Sequence, residues 1–179
     1  MPNNATQTTG KQTTQRSEAK PKLQRDVIAL LTDDHREVEE LFERFESAGS
    51  TDAKAQLLRE IAVALTVHAQ VEEELFYPAV RHALPEGRRL LDEARIEHAQ
   101  VKKLMVDLST TTVDDGLFDA KVRVLSEYVK HHVEEEEFEL FPKVERSELD
   151  LDEIGAMAAE RKQQLRDAFA PLEIPHGRH

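Results

Sequence analysis

Apolar residues recur every three or four positions along most of the chain, which is the spacing that places them on one face of an α-helix. No segment alternates polar and apolar residues over a convincing length, so β-strands are not expected. Three polar breaks, at 47–52, 84–87 and 109–116, separate four long helical segments. Because short loops join them, we predict an all-α fold, an antiparallel up-down four-helix bundle.

The two ends of the chain differ from this helical middle. Residues 1–22 are rich in Thr, Gln, Asn and Lys, and we expect them to form a disordered tail. We assign residues 23–146 to the bundle and residues 147–179 to a short C-terminal helix and tail. That extra helix is amphipathic, and it either caps the bundle or pairs between the subunits of a homo-oligomer.

Charge and composition restrict the partners of the chain. The net charge is −12, whereas nucleic acid and anionic membranes both bind positive surfaces, so neither is an expected partner. Cysteine is absent, so any metal must be bound through nitrogen and oxygen. No apolar run approaches the roughly 18 residues of a membrane helix, and the N-terminus lacks the apolar segment of a secretory signal. We therefore predict a cytoplasmic protein.

The helical region contains an internal duplication. Residues 33–45 (DDHREVEELFERF) match residues 96–108 (IEHAQVKKLMVDL) at an offset of 63. Residues 68–78 (HAQVEEELFYP) match residues 131–142 (HHVEEEEFELFP) at an offset of 64. Each half thus supplies one helix with a histidine and one helix with an H-x-x-x-E motif. A pseudo-twofold relation between the halves would bring these residues together at the centre of the bundle.

The spacing of these residues favours a metal site. Positions i and i+4 share a helix face, so the histidine and glutamate of each motif project together. Carboxylates can bridge two metal ions and imidazoles can complete their coordination, a donor set that suits iron or manganese and less often zinc. The six candidate ligands are His35, His68, Glu72, His98, His132 and Glu136.

A plainer interpretation exists for each residue alone. A single H-x-x-x-E motif in a charged helix is usually a solvated ion pair, and a lone histidine carries little information. Both features occur in both halves, in the same order and at matching separations. This coincidence favours a metal centre over a metal-free bundle.

At this point the chain resembles the hemerythrin family, specifically its bacterial and archaeal hemerythrin-like HHE cation-binding domains. The pattern H…HxxxE…H…HxxxE carries the resemblance, which covers about residues 26–146. The resemblance implies a hemerythrin-like four-helix bundle with a non-haem di-iron centre, in which two iron ions are bridged by oxygen and by two carboxylates. It also implies that the six candidate ligands bind those ions.

One position departs from the oxygen-carrying members of that family. They have a second histidine one turn after the third-helix histidine, and Lys102 stands there in this chain. This difference disfavours reversible oxygen carriage and favours an iron that exchanges water, peroxide or nitric oxide. Tyr128 and Glu39 are candidates for an extra ligand or for a neighbour of the ligands. In the plainer interpretation Tyr128 belongs to the core and Glu39 is a solvated acid.

The second H-x-x-x-E motif has an alternative register in His131 and Glu135. The following proline decides for His132, because the motif histidine lies ten residues before a proline in both halves. His131 then points to the surface. Among the remaining acidic residues, Glu73 and Glu137 are best placed to contact the ligands.

Three functions are compatible with this sequence. In the first, the centre binds or processes a small oxidant such as O2, H2O2 or NO, with peroxide decomposition as its enzymatic form in oxidative or nitrosative stress. In the second, the domain is an iron- or oxygen-responsive sensor without catalytic turnover. In the third, it repairs damaged iron centres, which the absence of cysteine disfavours.

Overall fold

A computed structural model describes residues 26–170 of the chain. Within that range every regular element is helical, which confirms the prediction of an all-α fold. The predicted tail at residues 1–22 lies outside the described residues.

The helices occur in pairs that reflect the sequence duplication. In chain order the elements are α1 (Val27–Glu46), α2 (Thr51–Val71), a first π segment (Glu72–Phe76), α3 (Tyr77–Ala83), a 3₁₀ turn (Pro85–Gly87), α4 (Arg88–Thr110), α5 (Phe118–Glu135), a second π segment (Glu136–Leu140), α6 (Phe141–Val144) and α7 (Leu151–Phe169). The bundle consists of α1, α2, α4 and α5, and α2 and α5 continue through their π segments into α3 and α6.

Each π segment begins at the glutamate of an H-x-x-x-E motif and is followed by a proline. Pro78 and Pro142 cannot donate a hydrogen bond to the preceding turn, and their rings crowd the carbonyl group of that turn. A π turn accommodates such an interruption, because the backbone pairing shifts to the residue five positions earlier. Tyr77 and Phe141 accordingly donate their backbone N–H groups to the carbonyl oxygens of Glu72 and Glu136.

Two apolar clusters fill the bundle. The first apolar cluster includes Leu31, Val71, Phe76, Leu91 and Leu140. The second apolar cluster includes Phe45, Ile61, Leu108, Phe118 and Leu125. Along each bundle helix, residues of one cluster change to residues of the other near the candidate ligands, so the polar residues form a layer between the clusters.

The C-terminal helix packs against its own bundle. α7 contacts α1, α2 and the first π segment, and it contributes Ile154, Ala158 and Leu165 to the first apolar cluster. Of the two roles predicted for this segment, covering the bundle is the one observed within the chain. Among residues 26–170, no helix has the length and apolarity needed to cross a membrane.

The second apolar cluster gives a direct test of this packing. Leu125 is fully buried, whereas Val124, its neighbour on α5, is 45% exposed. We expect Leu125→Ala to lower the free energy of unfolding by about 3 kcal/mol, because it removes buried methyl groups and leaves a cavity. Val124→Ala should change it by less than about 0.5 kcal/mol. Urea denaturation measures both values, and equal effects would contradict the packing.

Candidate metal centre

All six candidate ligands lie in the polar layer between the two apolar clusters. Each of the four bundle helices contributes one histidine, and each π segment begins with a ligand glutamate. The exposed fraction is 5% or less for every one of these residues. Six polar side chains buried in the interior of a small bundle need strong partners, because burial without them is costly.

The ligand atoms form two overlapping groups. The first contains His35, His68, Glu72 and Glu136, and the second contains Glu72, His98 and His132. Within each group the ligand atoms lie within 4.8 Å of one another. Glu72 is common to both groups, so the geometry suits two neighbouring cations with a shared carboxylate.

The Nε2 atoms of all four histidines face the two central carboxylates. Nε2 of His68 and Nε2 of His98 lie 3.2 Å and 3.3 Å from Oε2 of Glu72. Nε2 of His35 and Nε2 of His132 lie 3.3 Å and 3.6 Å from Oε2 of Glu136. The imidazoles therefore converge from four helices on the two central carboxylates.

Several of these inward atoms have no hydrogen-bond partner. They are Nε2 of His35, Nε2 of His68, Oε1 of Glu72 and Oε2 of Glu136. Buried polar atoms are normally hydrogen-bonded, so a cluster of unpartnered ones facing a common centre indicates a missing partner. Metal cations fit that role, since neutral imidazoles and carboxylates are the donor groups such ions take.

Carboxylates also face the outer Nδ1 atom of each histidine. The Nδ1 atoms of His35, His98 and His132 lie 2.9 Å from oxygens of Glu137, Glu73 and Glu97, respectively. Because an ionised carboxylate can only accept, Nδ1 of each of these three rings carries a proton, which leaves Nε2 as the atom that would bind a cation. This arrangement of carboxylate, imidazole and metal is common in metal sites and orients the ligand.

Glu73 and Glu137 are the acids that the sequence singled out as neighbours of the ligands. The structure also shows a pair that the sequence reasoning missed, Asp34 and Glu97. Each immediately precedes the lone histidine of its half and faces the motif histidine of that half, with Oδ2 of Asp34 lying 3.8 Å from Nδ1 of His68. Their equivalent positions in the duplication were the available signal.

Two further candidates lie away from this centre. Tyr128 is 47% exposed, so neither the extra-ligand role nor the core role predicted for it is correct. Its neighbours Leu125 and Val129 take the inward positions on α5 and turn the phenol toward solvent. Glu39 is an exposed acid that accepts a hydrogen bond from Arg36 at 3.0 Å, as in its plainer interpretation.

The structure also shows where His131, the histidine of the alternative register, and Lys102 lie. The side chain of His131 is 64% exposed and lies 3.6 Å from Glu97 and from Glu135, outside the buried centre. Lys102 donates to both carboxylate oxygens of Glu73 at 2.7 Å. The lysine therefore supports the carboxylate behind His98 instead of supplying a ligand atom.

Comparison with known proteins gives the family. The Hemerythrin HHE cation binding domain matches residues 26–144, which include all six candidate ligands. This chain belongs to that family. A crystal structure of a hemerythrin HHE cation binding domain-containing protein from Mycobacterium kansasii has the same fold, with a TM-score of 0.72 and 23% identity over 86% of this chain and 95% of that one.

Curated relatives carry different names. A Nostoc protein named DNA nickase is 30% identical over 153 residues, which are 86% of this chain and 42% of that protein. An uncharacterized hemerythrin-like protein of Schizosaccharomyces pombe is 25% identical over 63% of this chain and 56% of its own length. The chain thus spans about half the length of these two relatives.

Tyr77 is a residue of this hemerythrin-like centre that the sequence reasoning missed. Its buried hydroxyl group donates to Oε1 of Glu136 at 2.9 Å and lies 3.3 Å from Oε2 of Glu72, so it joins the two halves of the bundle. Its ring also stacks on His98, as the ring of Phe141 stacks on His35. The available signal was the difference at this repeat position, tyrosine in one half and phenylalanine in the other.

The pKa values of the two central glutamates shift in opposite directions. Burial and the nearby Glu136 raise the pKa of Glu72 well above its ordinary value. Burial alone would also raise the pKa of Glu136, but His132 and His35 outweigh it and hold that pKa well below its ordinary range. Protonation of the pair is therefore favoured on Glu72, and Glu136 is favoured as the carboxylate.

Two of the four imidazoles of this layer are held neutral by burial. Burial lowers the pKa of His98 to about 4, with His132 adding to the effect. Burial and the nearby His35 lower the pKa of His68 well below its ordinary value. Both rings are therefore neutral at pH 7 and can bind a cation without first releasing a proton.

A small cavity lies between the four histidines and the second apolar cluster. Its volume is about 30 Å³, and its apolar lining includes Val38, Leu65, Val101 and Val129. A space of this size holds one molecule about as large as water. The centre thus has an adjacent pocket with room for a diatomic or similarly small molecule.

Metal binding by this centre should weaken as the pH falls. A metal-bound Glu72 must be a carboxylate, whereas the raised pKa of Glu72 favours its protonated form in the metal-free protein, so we expect binding to release a proton. We expect the affinity for Co²⁺ to decrease between pH 8 and pH 6 and proton release to appear in an unbuffered titration. Glu72→Gln should bind weakly, while Glu39→Gln, a change at an exposed acid, should match the wild type. An affinity that is independent of pH would contradict the protonation of Glu72.

Tyr77→Phe tests the hydroxyl bridge between the two halves. Phenylalanine keeps the ring and already occupies the equivalent position as Phe141, so the change removes only the hydrogen bonds to the carboxylates. We expect a loss of about 1.5–3 kcal/mol in the free energy of unfolding of the metal-free protein, because the acceptor Glu136 is charged. Tyr128→Phe is the matched control at an exposed tyrosine and should have no measurable effect. Urea denaturation of the two variants distinguishes them, and equal stabilities would argue against the bridge.

Proposed function

We propose that this protein binds two non-haem iron ions in its hemerythrin-like centre and uses them to process a small oxidant, with hydrogen peroxide as the substrate. The observation that carries the proposal is the pair of overlapping ligand groups that share Glu72 beside a cavity of about 30 Å³. Two adjacent cation positions suit a two-electron reaction, and the cavity suits a reactant with very few atoms.

The donor set supports iron over the commoner structural metals. Four imidazole nitrogens and two carboxylates surround the centre, and the chain has no thiolate to offer. Such nitrogen and oxygen donors suit iron and manganese, whereas structural zinc sites often use cysteine. When bound, the two ions would supply the electrons and the Lewis acidity for reaction with peroxide.

The side chains of this protein would hold the ions and control protons. The four histidines would bind through Nε2 while the outer carboxylates fix their orientation. Burial keeps Tyr77 protonated by raising its pKa well above the ordinary value, so its hydroxyl remains a donor to Glu136. The valines and Leu65 around the cavity exclude bulk water, which strengthens the electrostatic interactions at the centre.

The overall reaction we propose is 2 H2O2 → O2 + 2 H2O, in which one peroxide is oxidised and the other is reduced. We expect the iron-loaded protein to contain two iron ions per chain by elemental analysis and to evolve oxygen from hydrogen peroxide at an oxygen electrode. His98→Gln should abolish the activity, because it removes a ligand from the second group. The surface variant His131→Gln should keep it.

The cavity makes the reaction selective for size. Hydrogen peroxide is a four-atom molecule, whereas cumene hydroperoxide is far larger than a space of about 30 Å³. We therefore expect the iron-loaded protein to leave cumene hydroperoxide unchanged. Retention of two iron ions without oxygen evolution would reject the peroxide reaction, and failure to bind iron would reject the di-iron centre.

The alternatives have less support. The name of the Nostoc relative points to DNA, but the net charge of −12 opposes binding to a polyanion, so we do not extend that activity to this chain. Sensing and iron-centre repair stay predictions from the sequence, because no contact among residues 26–170 favours either of them specifically.

A further inference from the structure

A lysine of α7 lies at the edge of the polar layer. Lys162 forms an ion pair with Oδ1 of Asp34, and the side chains of the two residues are 18% and 5% exposed. Asp34 lies directly before the candidate ligand His35, yet its carboxylate is directed to a different histidine. Lys162 therefore comes from outside the four bundle helices and contacts a carboxylate that itself faces a candidate ligand, His68.

The other oxygen of Asp34 faces His68. Oδ2 of Asp34 lies 3.8 Å from Nδ1 of His68, and neither atom has a hydrogen-bond partner. The corresponding distances behind the other three histidines are 2.9 Å. His68 is thus the ligand whose outer contact is longest, and its carboxylate is the one bound to α7.

We propose that Lys162 is a positioning residue for the metal ligand His68, which it orients by anchoring the buried carboxylate of Asp34 behind the imidazole ring. This inference rests on the proposed metal centre. It assigns to the C-terminal helix a part in binding the cation held by His35 and His68. α7 lies beyond residues 26–144, the part of the chain that matches the family.

The energetics favour this role. A carboxylate that is almost fully buried needs a cation close by, since an unpaired charge in the interior is strongly unfavourable. Burial and the nearby Arg166 lower the pKa of Lys162 to about 8, so the side chain is still a cation at pH 7. With its charge balanced, the Asp34 carboxylate stays behind Nδ1 of His68, at 3.8 Å, while Nε2 of that ring faces the centre.

α7 is held in register by ion pairs on both sides of this contact. Arg161 donates to Glu74 of the first π segment at 2.7 Å, and Arg166 donates to Glu37 of α1 at 2.5 Å. These two pairs are more exposed than the pair between Lys162 and Asp34. They hold α7 against the first π segment and α1, so that Lys162 lies next to the polar layer. Of these three ion pairs, the pair between Lys162 and Asp34 is the one that reaches that layer.

The residue equivalent to Asp34 in the other half of the bundle has no such support. Glu97, the equivalent of Asp34 in the duplication, contacts His132 and the exposed His131. In the part of the chain that the structure describes, no lysine or arginine nitrogen lies within 4.0 Å of the Glu97 carboxylate. α7 therefore makes the two cation positions different, and loss of Lys162 should affect only the position that contains His68.

Titration of metal-free protein with Co²⁺ tests the proposal, with visible absorption as the readout. We expect the wild type to bind two ions and Lys162→Met to bind one of them about tenfold more weakly, the usual cost of losing an outer partner of a metal ligand. Lys54→Met is the matched control, since it removes a partly buried lysine whose ion pair with Asp119 lies beside Phe45 of the second apolar cluster, without contact to Asp34. Its two affinities should equal those of the wild type.

A double variant separates orientation of the ligand from simple support of the fold. Asp34→Leu combined with Lys162→Met removes both charges, so the stability should return toward that of the wild type. No acceptor then remains behind His68, and binding of one Co²⁺ ion should stay about tenfold weaker. Recovery of full affinity together with stability would overturn the positioning role.

The same titration distinguishes this inference from the proposed function. If the wild type binds no Co²⁺, both the metal centre and the role of Lys162 are rejected. If the wild type binds two ions and Lys162→Met binds both with unchanged affinity, only the role of Lys162 is rejected. A tenfold loss at one position in the Lys162 and double variants, with none in Lys54→Met, is the expected result.

Discussion

The structure depends on a layer of polar side chains enclosed by two apolar clusters. Burying four imidazoles and two carboxylates in a bundle of this size is unfavourable unless each group has a partner. Outer carboxylates supply partners for three of the Nδ1 atoms, while a set of inward atoms has none. The apolar clusters hold the bundle closed around this layer, and cations at its centre would complete the balance of charge.

The duplication makes the centre nearly symmetric, but some contacts differ between the two halves. Tyr77 and Phe141 occupy equivalent places, but only the tyrosine hydroxyl reaches both central carboxylates. Asp34 and Glu97 are likewise equivalent, yet only Asp34 is bound to a lysine from α7. The two halves therefore differ in the tyrosine hydroxyl and in the lysine contact from α7, although the ligand pattern repeats.

Much of the centre could be predicted from the sequence, because a histidine and a glutamate four residues apart share a helix face wherever that helix packs. Tyr128 shows where this reasoning ends. It also lies four residues from a ligand, but one turn along the axis moves it to a level where Leu125 and Val129 fill the interior. Spacing fixes the direction of a side chain along its helix and leaves open which neighbours occupy the space.

The sequence by itself determined the helical class, the duplicated helix pairs and the six residues that meet in the polar layer, since these follow from local periodicity and repeat spacing. Only the tertiary structure decided which acid stands behind which histidine, how Tyr77 joins the two halves, and that α7 sends Lys162 to Asp34. These contacts join residues up to 128 positions apart. They depend on the angles and separations at which helices pack, which the pattern within a single helix does not contain.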